Sequence, residues 1–126
     1  LRTSEERFRA IQETSIDGFM VLESVRDEAG SIADFRWIYA NAAAERIVGK
    51  PAGWFPGRQL LQEMPGNREE GLFHADVQAV ETGEPWTREF TYRHEGVDAY
   101  LRSVAAKVGD GFAVTFAGVD RAWTAA

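Results

Sequence analysis

The apolar and polar positions divide the chain into two strand-rich ends separated by a helical middle. Phe19 to Val25 is a short, largely apolar run without clean alternation, which predicts a strand buried on both sides. After the polar turn Asp27-Glu28-Ala29-Gly30-Ser31, Asp34 to Ala40 alternates. Phe35, Trp37 and Tyr39 fall on one face and Asp34, Arg36, Ile38 and Ala40 on the other, so the two strands form a hairpin. Trp86 to Glu95 alternates as well, with Trp86, Arg88, Phe90, Tyr92 and His94 on one side. Gly96-Val97-Asp98 turns it into Ala99 to Val108. Gly109-Asp110-Gly111 is a hairpin turn into Phe112 to Val119, where Phe112, Val114 and Phe116 share a face. The last three strands form a meander.

Helices fill the rest. Thr3-Ser4-Glu5-Glu6 opens a charged N-terminal helix, running to about Thr14, with a narrow apolar stripe at Phe8 and Ile11; such a stripe suits a lid over a sheet edge or a partner helix. Asn41 stands between an aromatic strand and the Ala-rich run Ala42 to Val48, where its side-chain oxygen can cap the first helical turn. Gly49 and Pro51 end that helix. Pro51 to Gly66 reads as compact irregular structure with one or two helical turns. Asn67 then caps a helix with Phe73, Val77 and Val80 as its stripe, closed by Gly83 and Pro85. The order β-β-α-α-β-β-β behind a flanking helix predicts an α+β fold, a five-stranded antiparallel sheet with helices on one face.

At 126 residues the chain holds one domain. A net charge of −6 from 14 basic and 20 acidic residues supplies no basic stripe, so nucleic acid is not an expected partner. No apolar run approaches the roughly 20 residues of a spanning helix, so no membrane segment is expected here. The absence of cysteine removes disulfides and thiolate chemistry and is compatible with a cytoplasmic setting. Opening at Leu1 and stopping at Ala126, the chain reads as a module of a longer protein.

In chain order, Ser4-Glu5-Glu6-Arg7-Phe8-Arg9, Asp17-Gly18, Asn41-Ala42-Ala43-Ala44-Glu45-Arg46-Ile47-Val48-Gly49, Gly57-Arg58-Gln59-Leu60, Val80-Glu81-Thr82-Gly83-Glu84-Pro85 and the closing hairpin together resemble the PAS family of sensory modules. The resemblance implies a flanking helix over 1–16, the PAS domain over 17–121 and the start of a linker over 122–126. It also implies a small-molecule cavity between sheet and helices, homodimerisation through flanking helices (here Phe8 and Ile11), and a downstream output domain such as a histidine kinase or a cyclic-di-GMP enzyme. The family often ends in Asp-Ile-Thr, whereas this chain reads Val119-Asp120-Arg121-Ala122, keeping the Asp alone.

On that reading the cavity wall draws on Tyr39, Phe90, Tyr92 and Phe116 from the sheet and on Ile47, Leu61, Phe73 and Val77 from the helices. The same side chains also serve as plain core. Trp54 and Phe55 fall in the segment that forms the mobile wall in PAS domains, so Trp54 is expected to report on ligand entry. In haem-binding members the ligand position, counted back from Gly83, falls on Val77 here, with His74 about one turn away; haem is therefore not expected. Cysteinyl-flavin adduct chemistry is excluded, because the thiol that carries it is missing. No nucleophile motif, phosphate loop or metal-ligand spacing stands out, so neither catalysis nor a metal site is expected, and any cofactor is unspecified. The alternatives are a ligand-free homodimerisation module and a small cone-shaped enzyme of the ketosteroid-isomerase type, which would place its longest helices first and bury a catalytic Asp and Tyr.

Overall fold

The computed structural model describes residues 2–119. The expected junction at Asp120 and the linker over 122–126 lie outside them. The helix α1 (Arg2–Glu13) leads into β1 (Gly18–Arg26) and β2 (Ile32–Ala40), followed by α2 (Ala42–Val48), α3 (Leu60–Glu63), α4 (Gly66–Glu69) and α5 (Leu72–Thr82). The meander β3 (Trp86–His94), β4 (Val97–Lys107) and β5 (Gly111–Gly118) completes the chain. The five strands form one antiparallel sheet in the order β2-β1-β5-β4-β3, so the first hairpin and the last meander are joined only where β1 pairs with β5. Helices between the second and third strands match the expected order and not that of the cone-shaped enzyme fold.

On the inner face, α2 packs on β1, α3 on β2, and α5 on β4 and β5. Met20, Leu22, Phe35, Trp37, Phe112 and Phe116 point into this layer and are buried, which is the hydrophobic term holding sheet and helices together. Phe35 meets Phe73 and Phe112 edge to face, with centroids at 5.6 and 4.8 Å. Gly18 lets β5 lie close, since a Cβ there would come within 2.4 Å of the Phe116 ring.

Two local expectations are corrected. In β2, Val21 pairs with Tyr39 and Leu22 with Trp37, leaving Ile38 as an extra residue. This bulge reverses the alternation, so Tyr39 leaves the face shared by Phe35 and Trp37 and lies on the outer side of the sheet. Asp34 is buried because the segment before α3 folds along the edge of β2. Gly57 N–H donates to Trp37 O, Trp37 N–H donates to Arg58 O, and Asp34 Oδ1 accepts from Leu61 N–H at 2.9 Å. The helix expected to run on from Asn67 is two, broken at Gly71, whose φ of +77° is left-handed and costs glycine little. Asn67 is consequently inside α4 and caps nothing; its Nδ2 donates to Met64 O and to the Tyr92 hydroxyl.

The helix α1 lies against the outer side. Phe8 sits edge-on to Phe19 at 5.5 Å, Arg9 stands over the Tyr39 ring at 5.1 Å, and Tyr39 Oη donates to Glu13 Oε2. Phe8 is 44% exposed and Ile11 65%.

Candidate functional site

Asn41 is the joint from which the site is built. It is fully buried, and its amide is satisfied on every side. Oδ1 accepts from Ala44 N–H, the expected helix cap, and from Phe19 N–H, both at 2.9 Å. Nδ2 donates to Gln12 O at 2.9 Å and to Asp17 O at 3.0 Å. One side chain thus ties the end of α1, the entry to β1 and the start of α2, and holds α2 over the sheet.

Between that sheet and the helices lies a cavity of about 100 Å³. Its wall is almost wholly apolar: Ile47 and Val48 from α2, Leu60 and Met64 around α3, Leu72 from α5, and Leu22, Trp37, Phe90, Leu101, Phe112, Val114 and Phe116 from the sheet. The volume is several times what one water needs and of the same order as the roughly 150 Å³ of a cavity that takes benzene. It is below the roughly 300–1,000 Å³ of pockets for drug-sized ligands.

Four polar residues interrupt the wall: Asn67, Asp76, Tyr92 and Ser103, all buried or nearly so. Tyr92 is committed to the protein. Its hydroxyl donates to Glu95 Oε1 and accepts from Asn67, while Glu95 Oε2 takes the Gly66 N–H. Burial first, and then the Glu95 carboxylate, raise the Tyr92 phenol well above its ordinary range. His94, behind this group, bonds Glu70 Oε2 through Nε2 at 2.8 Å and stacks edge-on to Tyr92. Asp76 differs, because its carboxyl holds one hydrogen bond among the described residues, from Trp86 Nε1 to Oδ1 at 2.9 Å. Burial pushes it from near 3.8 up to about 8, opposed in part by the Trp86 N–H and by Arg88.

Of the residues expected in the wall, Ile47, Phe90, Tyr92 and Phe116 line the cavity. Tyr39 is on the opposite side of the sheet. Phe73 and Val77 lie on the parts of α5 that meet the core, Phe73 against Phe35; the cavity instead meets Leu72 and Asp76. Leu61 yields to Leu60 in the same way. Trp54 is separated from the cavity by Trp37, whose ring is 6.1 Å away, and is held between Lys50 at 4.6 Å and Arg58 at 4.4 Å. Trp37 and Trp86 are the indoles on the wall. Asp76 was not singled out by the sequence pattern, yet its signal is present: an acidic residue four after Leu72 and four before Val80, centred on an apolar helix face. His74 is exposed and does not line the cavity. Among the described residues no cluster of His, Asp and Glu could hold a metal ion.

A family model described as the PAS fold matches residues 33–121. The chain belongs to the PAS family. A comparison with curated proteins finds no match. Among solved structures, this PAS domain is similar to a domain of a sensory box sensor histidine kinase/response regulator from Geobacter sulfurreducens, with 18% identity and a TM-score of 0.66, covering 94% of this chain and 96% of that one. It is similar to the PAS domain of Bordetella pertussis BvgS, with 16% identity and a TM-score of 0.62, covering 98% and 92%. A Rhodobacter sphaeroides LOV protein matches with 16% identity and a TM-score of 0.67, covering 99% of this chain and 72% of that one. At these identities the likeness is one of fold.

The buried carboxyl makes stability depend on pH. Between about pH 4 and pH 8 the folded PAS domain keeps a proton on Asp76 that the unfolded chain has lost, so stability falls as pH rises through that window. Asp76→Asn removes this term. In urea unfolding, the variant's stability relative to the native chain is expected to increase with pH by up to about 1.4 kcal/mol per unit, levelling off above about pH 8. His94, raised chiefly by its hydrogen bond to Glu70, contributes stability that is also lost as pH rises; it is present in both proteins and cancels in the comparison.

Proposed function

We propose that this PAS domain is a cytoplasmic sensory module that regulates an output domain in the same protein, binds a small, largely apolar molecule in its internal cavity, and pairs with a second copy through α1. The observation that carries this reading is the apolar space between sheet and helices, walled by six aromatic rings and lined on one side by α2. A role in catalysis forms no part of the proposal. No helix among the described residues is long and apolar enough to cross a membrane.

Native mass spectrometry of the freshly purified domain tests the first part. A retained small mass, or a protein melting temperature raised by single-ring compounds, is expected. A bare protein mass with no response to such compounds overturns the ligand and leaves the ligand-free dimerisation module. For the second part, Ile11 is a better probe than Phe8, which already rests on Phe19 of its own chain. Ile11→Glu is expected to give a monomer in sedimentation with the melting temperature unchanged; an unchanged mass rules out α1 as the interface.

A further inference from the structure

We propose that Asp76 is the recognition group of the cavity, a carboxylic acid that donates a hydrogen bond to a small neutral ligand carrying one acceptor oxygen, such as a ketone, aldehyde or ether of single-ring size. The inference rests on the cavity being a ligand site and goes beyond it by naming the chemistry selected there.

Asp76 is 4% exposed, lines the cavity and stands on α5, opposite the sheet. The protein occupies one of its oxygens, with the Trp86 indole as donor, and leaves the rest of the carboxyl without a hydrogen-bond partner among the described residues. The arrangement fixes the acid's role. Trp86 can only donate, so Oδ1 is the acceptor oxygen, and a proton on the carboxyl belongs on Oδ2. With the carboxyl raised to about 8, that proton is present near neutrality.

The charged and polar groups on the surrounding elements support a neutral occupant. On β3, Arg88 is the cation that acts on Asp76, but its Nη1 donates to Glu70 O, and Tyr92 is engaged with Glu95 and Asn67. Ser103 on β4 and Asn67 on α4 are uncharged, while α2, β1 and β5 bring only apolar side chains to the wall. A cationic ligand would have to ionise Asp76 and bury both charges in this wall, a desolvation that the pair's attraction offsets at best narrowly. An anion would meet the same apolar wall without a buried cation. A neutral acceptor meets a neutral donor at no charging cost and leaves no buried O–H unpaired.

Three five-membered rings of similar size separate the possibilities: cyclopentanone, cyclopentane and cyclopentylamine, each titrated by ligand-observed NMR and by the Trp86 indole N–H resonance. Cyclopentanone is expected to bind about tenfold more tightly than cyclopentane, and about tenfold more weakly at pH 9 than at pH 6.5 as Asp76 ionises. Asp76→Asn keeps an acceptor for Trp86 and a donor for the ligand, so it should retain cyclopentanone within about threefold and abolish the pH dependence. Asp76→Leu should remove the preference for the ketone and leave cyclopentane binding in place.

Equal binding of ketone and hydrocarbon, unchanged in Asp76→Leu, overturns the role of Asp76 and leaves the cavity as a ligand site. Tighter binding of cyclopentylamine that strengthens with pH and is lost in Asp76→Asn overturns the neutral-ligand assignment in favour of a carboxylate receptor for cations. Failure of all three probes to bind overturns the cavity reading and this inference with it.

Discussion

Replacing Asn41 by alanine lowers the stability of the domain by about 3–5 kcal/mol, several times the roughly 1 kcal/mol of a helix cap alone. The excess comes from the three partners that are not part of the cap. The N–H of Phe19 and the carbonyls of Gln12 and Asp17 face a fully buried amide, and alanine leaves them without it. Asn41→Asp separates the two halves of this role. Its carboxylate still accepts from Ala44 and Phe19 but turns oxygen toward two carbonyl oxygens, so it is also expected to destabilise, and increasingly as pH rises and the acid ionises. Urea unfolding checks both; a loss near 1 kcal/mol for Asn41→Ala would mean that α1 and β1 do not depend on the joint.

Trp37→Ala is the second large effect, expected at about 3–5 kcal/mol. Trp37 is 1% exposed, lies edge-on to Phe55 at 4.9 Å and donates from Nε1 to Met20 Sδ at 3.4 Å. It also forms the partition between the cavity and Trp54. Its removal therefore enlarges the cavity toward Trp54, and the variant should recover part of the lost stability in the presence of an added single-ring compound, measured as a melting-temperature shift larger than that of the native chain. A shift no larger than the native one would show that the space collapses.

What could be read in advance divides along physical lines. Strand and helix identities follow from periodicity, which is local, and so the hairpin, the Asn41 cap and the meander are legible in the sequence. The side on which Tyr39 emerges is not, because a single extra residue at Ile38 reverses the alternation, and nothing in Trp37-Ile38-Tyr39 marks a bulge. The split of the long helix at Gly71 was hidden for a related reason. A glycine between Glu70 and Leu72 can either weaken a helix or end it, and the choice is made by the packing of α4 under β3, where Gly66 leaves room for His94. On α5 the large side chains of Phe73 and Val77 meet the core and not the cavity: Phe73 packs beside Phe35, and the cavity is left to Leu72 and an acid. Asp76 is not legible in the sequence, because a lone carboxylate usually marks a solvated helix face and only its burial reveals otherwise.

The pairing of β1 with β5 has a consequence for how the chain is made. Each half of the sheet forms from neighbours in sequence, but the halves meet across some ninety residues, from Gly18 on Phe116 to Glu23 on Gly111. During synthesis, β1 and β4 therefore wait with open edges until the last strand emerges, and a nascent chain halted just short of Gly111 presents two unpaired edges at once, the arrangement that invites pairing with other chains. The final eight-residue strand is the keystone of assembly, although it is the last part of the sheet to exist.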